Sequence, residues 1–143
     1  MTINQEAPVI QTKEIIIDAT SEKVWQILTN IQSWGKWNER IKKPKLKGNL
    51  EVGSSFTWKT NGSKINSKIH SYTPKRILGW KGKTFGVSAI HNWYLESTEN
   101  GTKVVVEESM EGWIINLMKK KMNEKLAEDM LYWLKQLKKE SEK

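Results

Sequence analysis

AIHNWYLESTENGTKVVVEESMEG, residues 89–112, holds two alternating runs joined by an Asn-Gly pair. Alternation of apolar and polar side chains marks a half-buried strand, and Asn-Gly adopts the paired positive φ angles of a two-residue hairpin turn. With Asn100-Gly101 as that turn, Leu95 is expected opposite Val106, Trp93 opposite Glu108 and His91 opposite Met110. One face then carries Ala89, His91, Trp93, Leu95, Val104, Val106, Glu108 and Met110. Asn92, Tyr94, Glu96, Val105, Glu107 and Ser109 point away. On this register His91 and Glu108 are diagonal neighbours, about 7–8 Å apart and within reach of long side chains.

The same reasoning extends upstream. Asn61-Gly62 is a second two-residue turn signal, which sets Thr60 opposite Ser63, Trp58 opposite Ile65 and Phe56 opposite Ser67. A looser turn near Thr73-Pro74 is expected to bring Ile69 opposite Leu78 and Ser67 near Trp80, adding Trp80 to the same apolar face. Ahead of this meander, KEIIIDA (13–19) alternates as a strand. Thr20 is placed to cap a helix over 21–31, with Val24, Ile27, Leu28 and Ile31 at helical spacing. A short helix or turn at QSWGKWN follows, then the basic extended segment 41–48, where Pro44 indicates an edge strand, and Gly53 provides a tight turn. From about Ile114 to Lys139 the stripe Ile115, Met118, Met122, Leu126, Met130, Trp133 and Leu137 predicts one long amphipathic helix. At 1.5 Å per residue, about 25 residues reach about 37 Å, enough to cross a sheet.

Composition narrows the chemistry. The 143 residues suit a single domain spanning 1–143, which would remove roughly 68–70% of the unfolded surface from water. There is no cysteine, and the two histidines lack metal-ligand spacing, so thiol chemistry is excluded and neither metal nor cofactor is expected. No signal-like start or run of 18 apolar residues occurs, which points to a cytoplasmic protein. Lys+Arg 24 against Asp+Glu 16 gives a net charge of +8. The positive charge concentrates at Lys36, Arg40, Lys42, Lys43, Lys45 and Lys47, and at Lys119, Lys120 and Lys121. Interleaved Glu124, Glu128, Asp129 and Glu140 make most of the last helix a solvated face with i,i+4 pairs.

Three stretches, IDATSEKVWQILTNIQSWGKWN (17–38), LEVGSSFTWK (50–59) and PKRILGWKG (74–82), precede the hairpin and the terminal helix in an order that resembles the START-related (SRPBCC) superfamily, including polyketide cyclase/dehydrase-like and pollen-allergen-like proteins. The resemblance covers nearly the whole chain. It implies an α+β helix-grip fold, β-α-α-β6-α, in which a curved seven-stranded antiparallel sheet wraps around the long C-terminal helix. It also implies an apolar cavity between sheet and helix for a lipid, sterol, polyketide or other hydrophobic molecule. Fold membership alone selects no activity.

Within that frame the expected ligand-binding wall is Trp58, Ile69, Trp80, His91, Trp93, Glu108 and Met110 from the sheet, with Met118, Met122, Met130 and Trp133 from the helix. Adaptable methionines and large indoles suit a bulky apolar or aromatic ligand, although the same side chains would also fill a closed core. Trp34 and Trp37, flanking Gly35, are candidates for the cavity entrance. His91 and Glu108 are the ionisable residues on the inner face of the sheet. They are candidates for a general base and its orienter in a cyclase, dehydratase or hydrolase, or for a satisfied polar pair in the wall. His70 falls on the opposite face from Ile69. The basic surface offers docking to a membrane as a further expectation, whereas inward tryptophans argue against stacking on nucleic acid. Oligomeric state leaves no signature.

Overall fold

A computed structural model describes all residues, Met1–Lys143. Seven strands, β1 (Val9–Ile17), β2 (Lys42–Leu46), β3 (Ser55–Thr60), β4 (Ser63–Thr73), β5 (Ile77–Thr84), β6 (Val87–Thr98) and β7 (Gly101–Glu111), form one antiparallel sheet in the order β1-β7-β6-β5-β4-β3-β2. Helices α1 (Ser21–Thr29) and α2 (Trp34–Trp37) join β1 to β2, and α3 (Trp113–Leu117) and α4 (Lys119–Ser141) follow β7. This is the curved α+β helix-grip arrangement. Thr20 caps α1 by accepting a hydrogen bond from the Lys23 N–H at 3.2 Å, satisfying one otherwise unpaired donor. β2, with Pro44, is an edge strand, where the missing N–H costs no ladder bond.

The Asn61-Gly62 turn has φ of 52° and 76°, and Trp58 lies opposite Ile65 and Phe56 opposite Ser67. The β6–β7 turn departs from expectation. Thr98 pairs with Gly101, so Glu99 and Asn100 occupy the turn, and every partner on β7 shifts by two residues. Leu95 faces Val104, Trp93 faces Val106 and His91 faces Glu108 directly. The glycine is needed for close approach: at φ 137°, a Cβ on Gly101 would lie 2.1 Å from the Ile17 carbonyl oxygen. A shift of two preserves side-chain parity, so the inner face keeps its composition.

The β4–β5 register also differs: the turn closes on Thr73 and Ile77, which pairs Tyr72 with Leu78, and a bulge at His70 then sets Ile69 opposite Trp80. The expected single C-terminal helix breaks at Met118 (φ −128°, ψ 33°). Two anchors require the break: α3 sets Ile115 into the core beside β6 and β7, while α4 runs along β1 and α1. The core lies between the inner sheet face and α4, with Leu126, Met130, Trp133, Leu134 and Leu137 buried on the helix.

Candidate functional site

His91 on β6 and Glu108 on β7 meet across the ladder because both point inward from directly opposed positions. The His91 Nδ1–H donates to Glu108 Oε1. The imidazole stacks on Trp80, with centroids 4.4 Å apart and planes within 6°, and Trp93 and Trp133 stand at 5.6 and 5.4 Å. His91 is 3% exposed and Glu108 9%. The hydrogen bond at Nδ1 fixes the orientation of the ring, and the buried Nε2 has no partner. Trp133 Nε1, another buried ring nitrogen, also has none. Buried polar atoms left unpaired are uncommon in folded proteins.

Both residues line a cavity of about 200 Å³ between the inner face and α4. Its apolar wall includes Trp58, Trp80, Met110, Met122 and Met130, and Gly82 and Ala89 also line it. Of the candidate ligand-binding residues, Trp58, Trp80, His91, Glu108, Met110, Met122, Met130 and Trp133 are brought together here. Ile69, Trp93 and Met118 are not. Ile69 and Trp93 are buried in the filled part of the interior, and the helix break leaves Met118 38% exposed.

The entrance assignment of Trp34 and Trp37 is corrected by their positions. Trp34 is fully buried and packs 5.3 to 6.0 Å from Phe56, Trp58, Trp80 and Trp133, while its indole N–H donates to the Leu28 carbonyl at 2.8 Å. Trp37 is also buried and lies outside the lining. These rings are large enough to fill the α1–α2 side of the interior, confining the cavity to the opposite side, near the β3–β4 and β5–β6 turns.

A polar latch joins α4 to Arg40 and the β3–β4 turn in the cavity wall. Arg40 pairs with Asp129 at 3.0 Å and Glu128 at 3.2 Å, and its guanidinium lies 3.9 Å above the Tyr132 ring. Asn61 Nδ2 donates to Asp129 Oδ2 at 3.2 Å. Arg40, Asn61, Asp129 and Tyr132 all line the cavity. Sequence patterning placed Arg40 in a basic segment and Asp129 on a solvated helix face; only their meeting across the fold gives them a shared position.

The second histidine lies on the outer face, with Nδ1 2.8 Å from Ser71 Oγ. Burial, followed by the positive Met1 amino group, lowers its pKa to about 4, opposed by a hydrogen bond with the Trp80 backbone. No three His, Cys, Asp or Glu side chains are grouped to hold a metal ion, and no helix is long and apolar enough to cross a membrane. The cavity can hold an apolar body beside the buried, unpaired ring nitrogens of His91 and Trp133.

Residues 9–142 match the family model described as polyketide cyclase / dehydrase and lipid transport. No curated protein matches the chain's sequence. Among solved structures, a hypothetical protein from Helicobacter pylori is similar with a TM-score of 0.85 and 20% identity, covering 96% of this chain and 90% of that one. A START superfamily protein from Mycobacterium smegmatis has a TM-score of 0.82 and 12% identity, over 93% and 97% of the two chains. The di-domain ARO/CYC protein StfQ from the steffimycin biosynthetic pathway matches at a TM-score of 0.80 and 12% identity, over 94% of this chain and 50% of its own. At these identities the structural likeness establishes the shared fold, and the match over residues 9–142 establishes the family: the chain belongs to the polyketide cyclase / dehydrase and lipid transport family.

Proposed function

We propose that the protein binds a small hydrophobic molecule, aromatic or short-chain, that carries one polar group. The observation supporting this reading is the cavity of about 200 Å³ whose wall includes two residues with unpaired buried ring nitrogens, His91 and Trp133. An apolar cavity of about 150 Å³ accepts benzene, whereas pockets for drug-sized ligands run to about 300–1,000 Å³. A one- or two-ring ligand fits the resting dimensions, and a longer one requires the Arg40 latch to open. A ligand hydroxyl donating to His91 Nε2, or a carbonyl accepting from Trp133 Nε1, would satisfy a buried group and provide specificity.

The test uses titration with 1-anilinonaphthalene-8-sulfonate, read by probe emission and tryptophan quenching, together with native mass spectrometry of gently purified protein. Ala89→Trp places an indole in the cavity and is expected to abolish probe binding while leaving the fold intact by circular dichroism. Equal binding by wild type and the variant would remove the cavity from consideration. A second reading, a cyclase- or dehydratase-type enzyme, is favoured by one observation: Glu108 holds the His91 ring with Nε2 free, the arrangement of an oriented general base. The base would take a proton from a bound polyketide-like substrate. Turnover that survives both His91→Ala and Glu108→Gln would eliminate this mechanism.

A further inference from the structure

The sheet order brings three connections to one end of the molecule: the β3–β4 turn, the β5–β6 turn and the β7–α3–α4 junction. That end presents Phe85, Trp113 and Leu117 at 80%, 57% and 77% exposure. Phe85 and Trp113 meet edge to face at 5.6 Å. Their placement is structurally defined. A Cβ on Gly86 would lie 2.5 Å from Ile114 Cδ1, and one on Gly112 would lie 2.2 Å from the Gly86 carbonyl oxygen. Both glycines have positive φ, so they let α3 sit directly on the β5–β6 turn and carry the two rings outward together.

Scattered exposed apolar residues are ordinary, but adjoining ones rimmed by charge indicate an interaction surface. The rim here includes Lys83 beside Phe85, and Lys119, Lys120 and Lys121 directly after Met118. All four are exposed and none forms an ion pair. The three consecutive lysines open α4, whose first turn has no acidic residue. Positive charge at the positive end of a helix dipole is unfavourable until an anion faces it. The cavity reaches this same end, since Lys83, Thr84 and Val87 of the hairpin carrying Phe85 line it.

We infer that this end of the molecule docks on the surface of an anionic lipid bilayer. Phe85, Trp113 and Leu117 enter the headgroup boundary, and Lys83 with Lys119–Lys121 faces the lipid charges. Aromatic rings favour that boundary, and basic residues near it strengthen binding to anionic leaflets. A cationic rim around an apolar tip matches such a surface in both charge and polarity. Docking would bring this end of the cavity to the bilayer, but the inference stands on this surface alone, whatever the cavity holds.

The test is co-sedimentation of the full chain with phosphatidylcholine vesicles, with or without about 30% phosphatidylserine, at low and moderate salt. Binding is expected only with phosphatidylserine and is expected to weaken as salt rises. The variant K119E/K120E/K121E should lower affinity about a hundredfold, at about fivefold per lysine. F85S/W113S should lower it about tenfold or more by removing the inserted rings. All five substituted side chains are exposed, and glutamates in the first turn favour α4, so circular dichroism and the thermal midpoint should change little. Absence of binding to phosphatidylserine vesicles, or wild-type affinity in both variants, overturns the inference. A wild-type dimer that ignores vesicles and becomes monomeric in F85S/W113S also overturns it, assigning the surface to a second copy of the chain.

Discussion

Replacing Glu108 with Leu removes the only hydrogen-bond partner of the His91 ring. Nε2 already has none, so a 3%-exposed imidazole would then be wholly unsatisfied. The expected loss is about 1–3 kcal/mol, the cost of stranding a buried donor. His91→Phe strands the Glu108 carboxyl in turn, at similar or greater cost. The double variant H91F/E108L removes both polar groups together and retains a flat ring against Trp80. It is expected to lie within about 1 kcal/mol of wild type, because replacing both partners with apolar groups strands neither. The coupling between the two sites is therefore about 1 kcal/mol or more. At about 3–4 °C per kcal/mol for a chain of this length, each single variant should melt about 3–12 °C lower and the double variant close to wild type. Thermal and urea unfolding of the four proteins at one pH, without ligand, complete the cycle. Additive losses, with the double variant as unstable as the sum of the singles, would refute the account of a mutually satisfied buried pair. A double variant that is stable yet no longer binds the fluorescent probe would show that recognition, rather than stability, needs the pair.

Trp34→Ala should cost about 3–5 kcal/mol and admit a larger ligand, since it removes a fully buried ring from the aromatic cluster; a melting temperature within error of wild type would restore the entrance reading. Arg40→Ala should change stability by less than about 1 kcal/mol, as its pairs are partly exposed, while accelerating probe association in stopped flow. An unchanged rate would show that the latch does not control access. His70 has its pKa lowered to about 4, so the unfolded chain binds more protons between about pH 4 and 6.5. Its contribution to stability should therefore be lost as pH falls through that window, and His70→Gln should flatten that part of the unfolding-against-pH curve. Gly101→Ala forces a Cβ to within 2.1 Å of the Ile17 carbonyl, so β1 must shift and the melting temperature should fall by several degrees.

Alternation and the order of turns in residues 54–112 were sufficient to determine which side chains face inward, because a two-residue change of register leaves parity intact. Thus His91, Glu108, Trp58 and Trp80 were legible as inner-wall residues before their contacts were known. The direct His91–Glu108 pairing was not legible, since it depends on Gly101 serving a close approach to Ile17 instead of forming the turn itself. Nor was the bulge at His70 or the helix break at Met118, where packing against distant elements overrides a continuous local pattern. Periodicity assigns a face to each side chain, but it contains no volume. Only the tertiary structure decides that Trp34 fills one part of the interior, that about 200 Å³ stays open beside His91, and that Arg40 and Asp129 meet in the wall of that cavity. The physical reason is that local sequence governs backbone propensity and polarity, whereas cavities and latches arise from the mutual exclusion and attraction of side chains far apart in the chain.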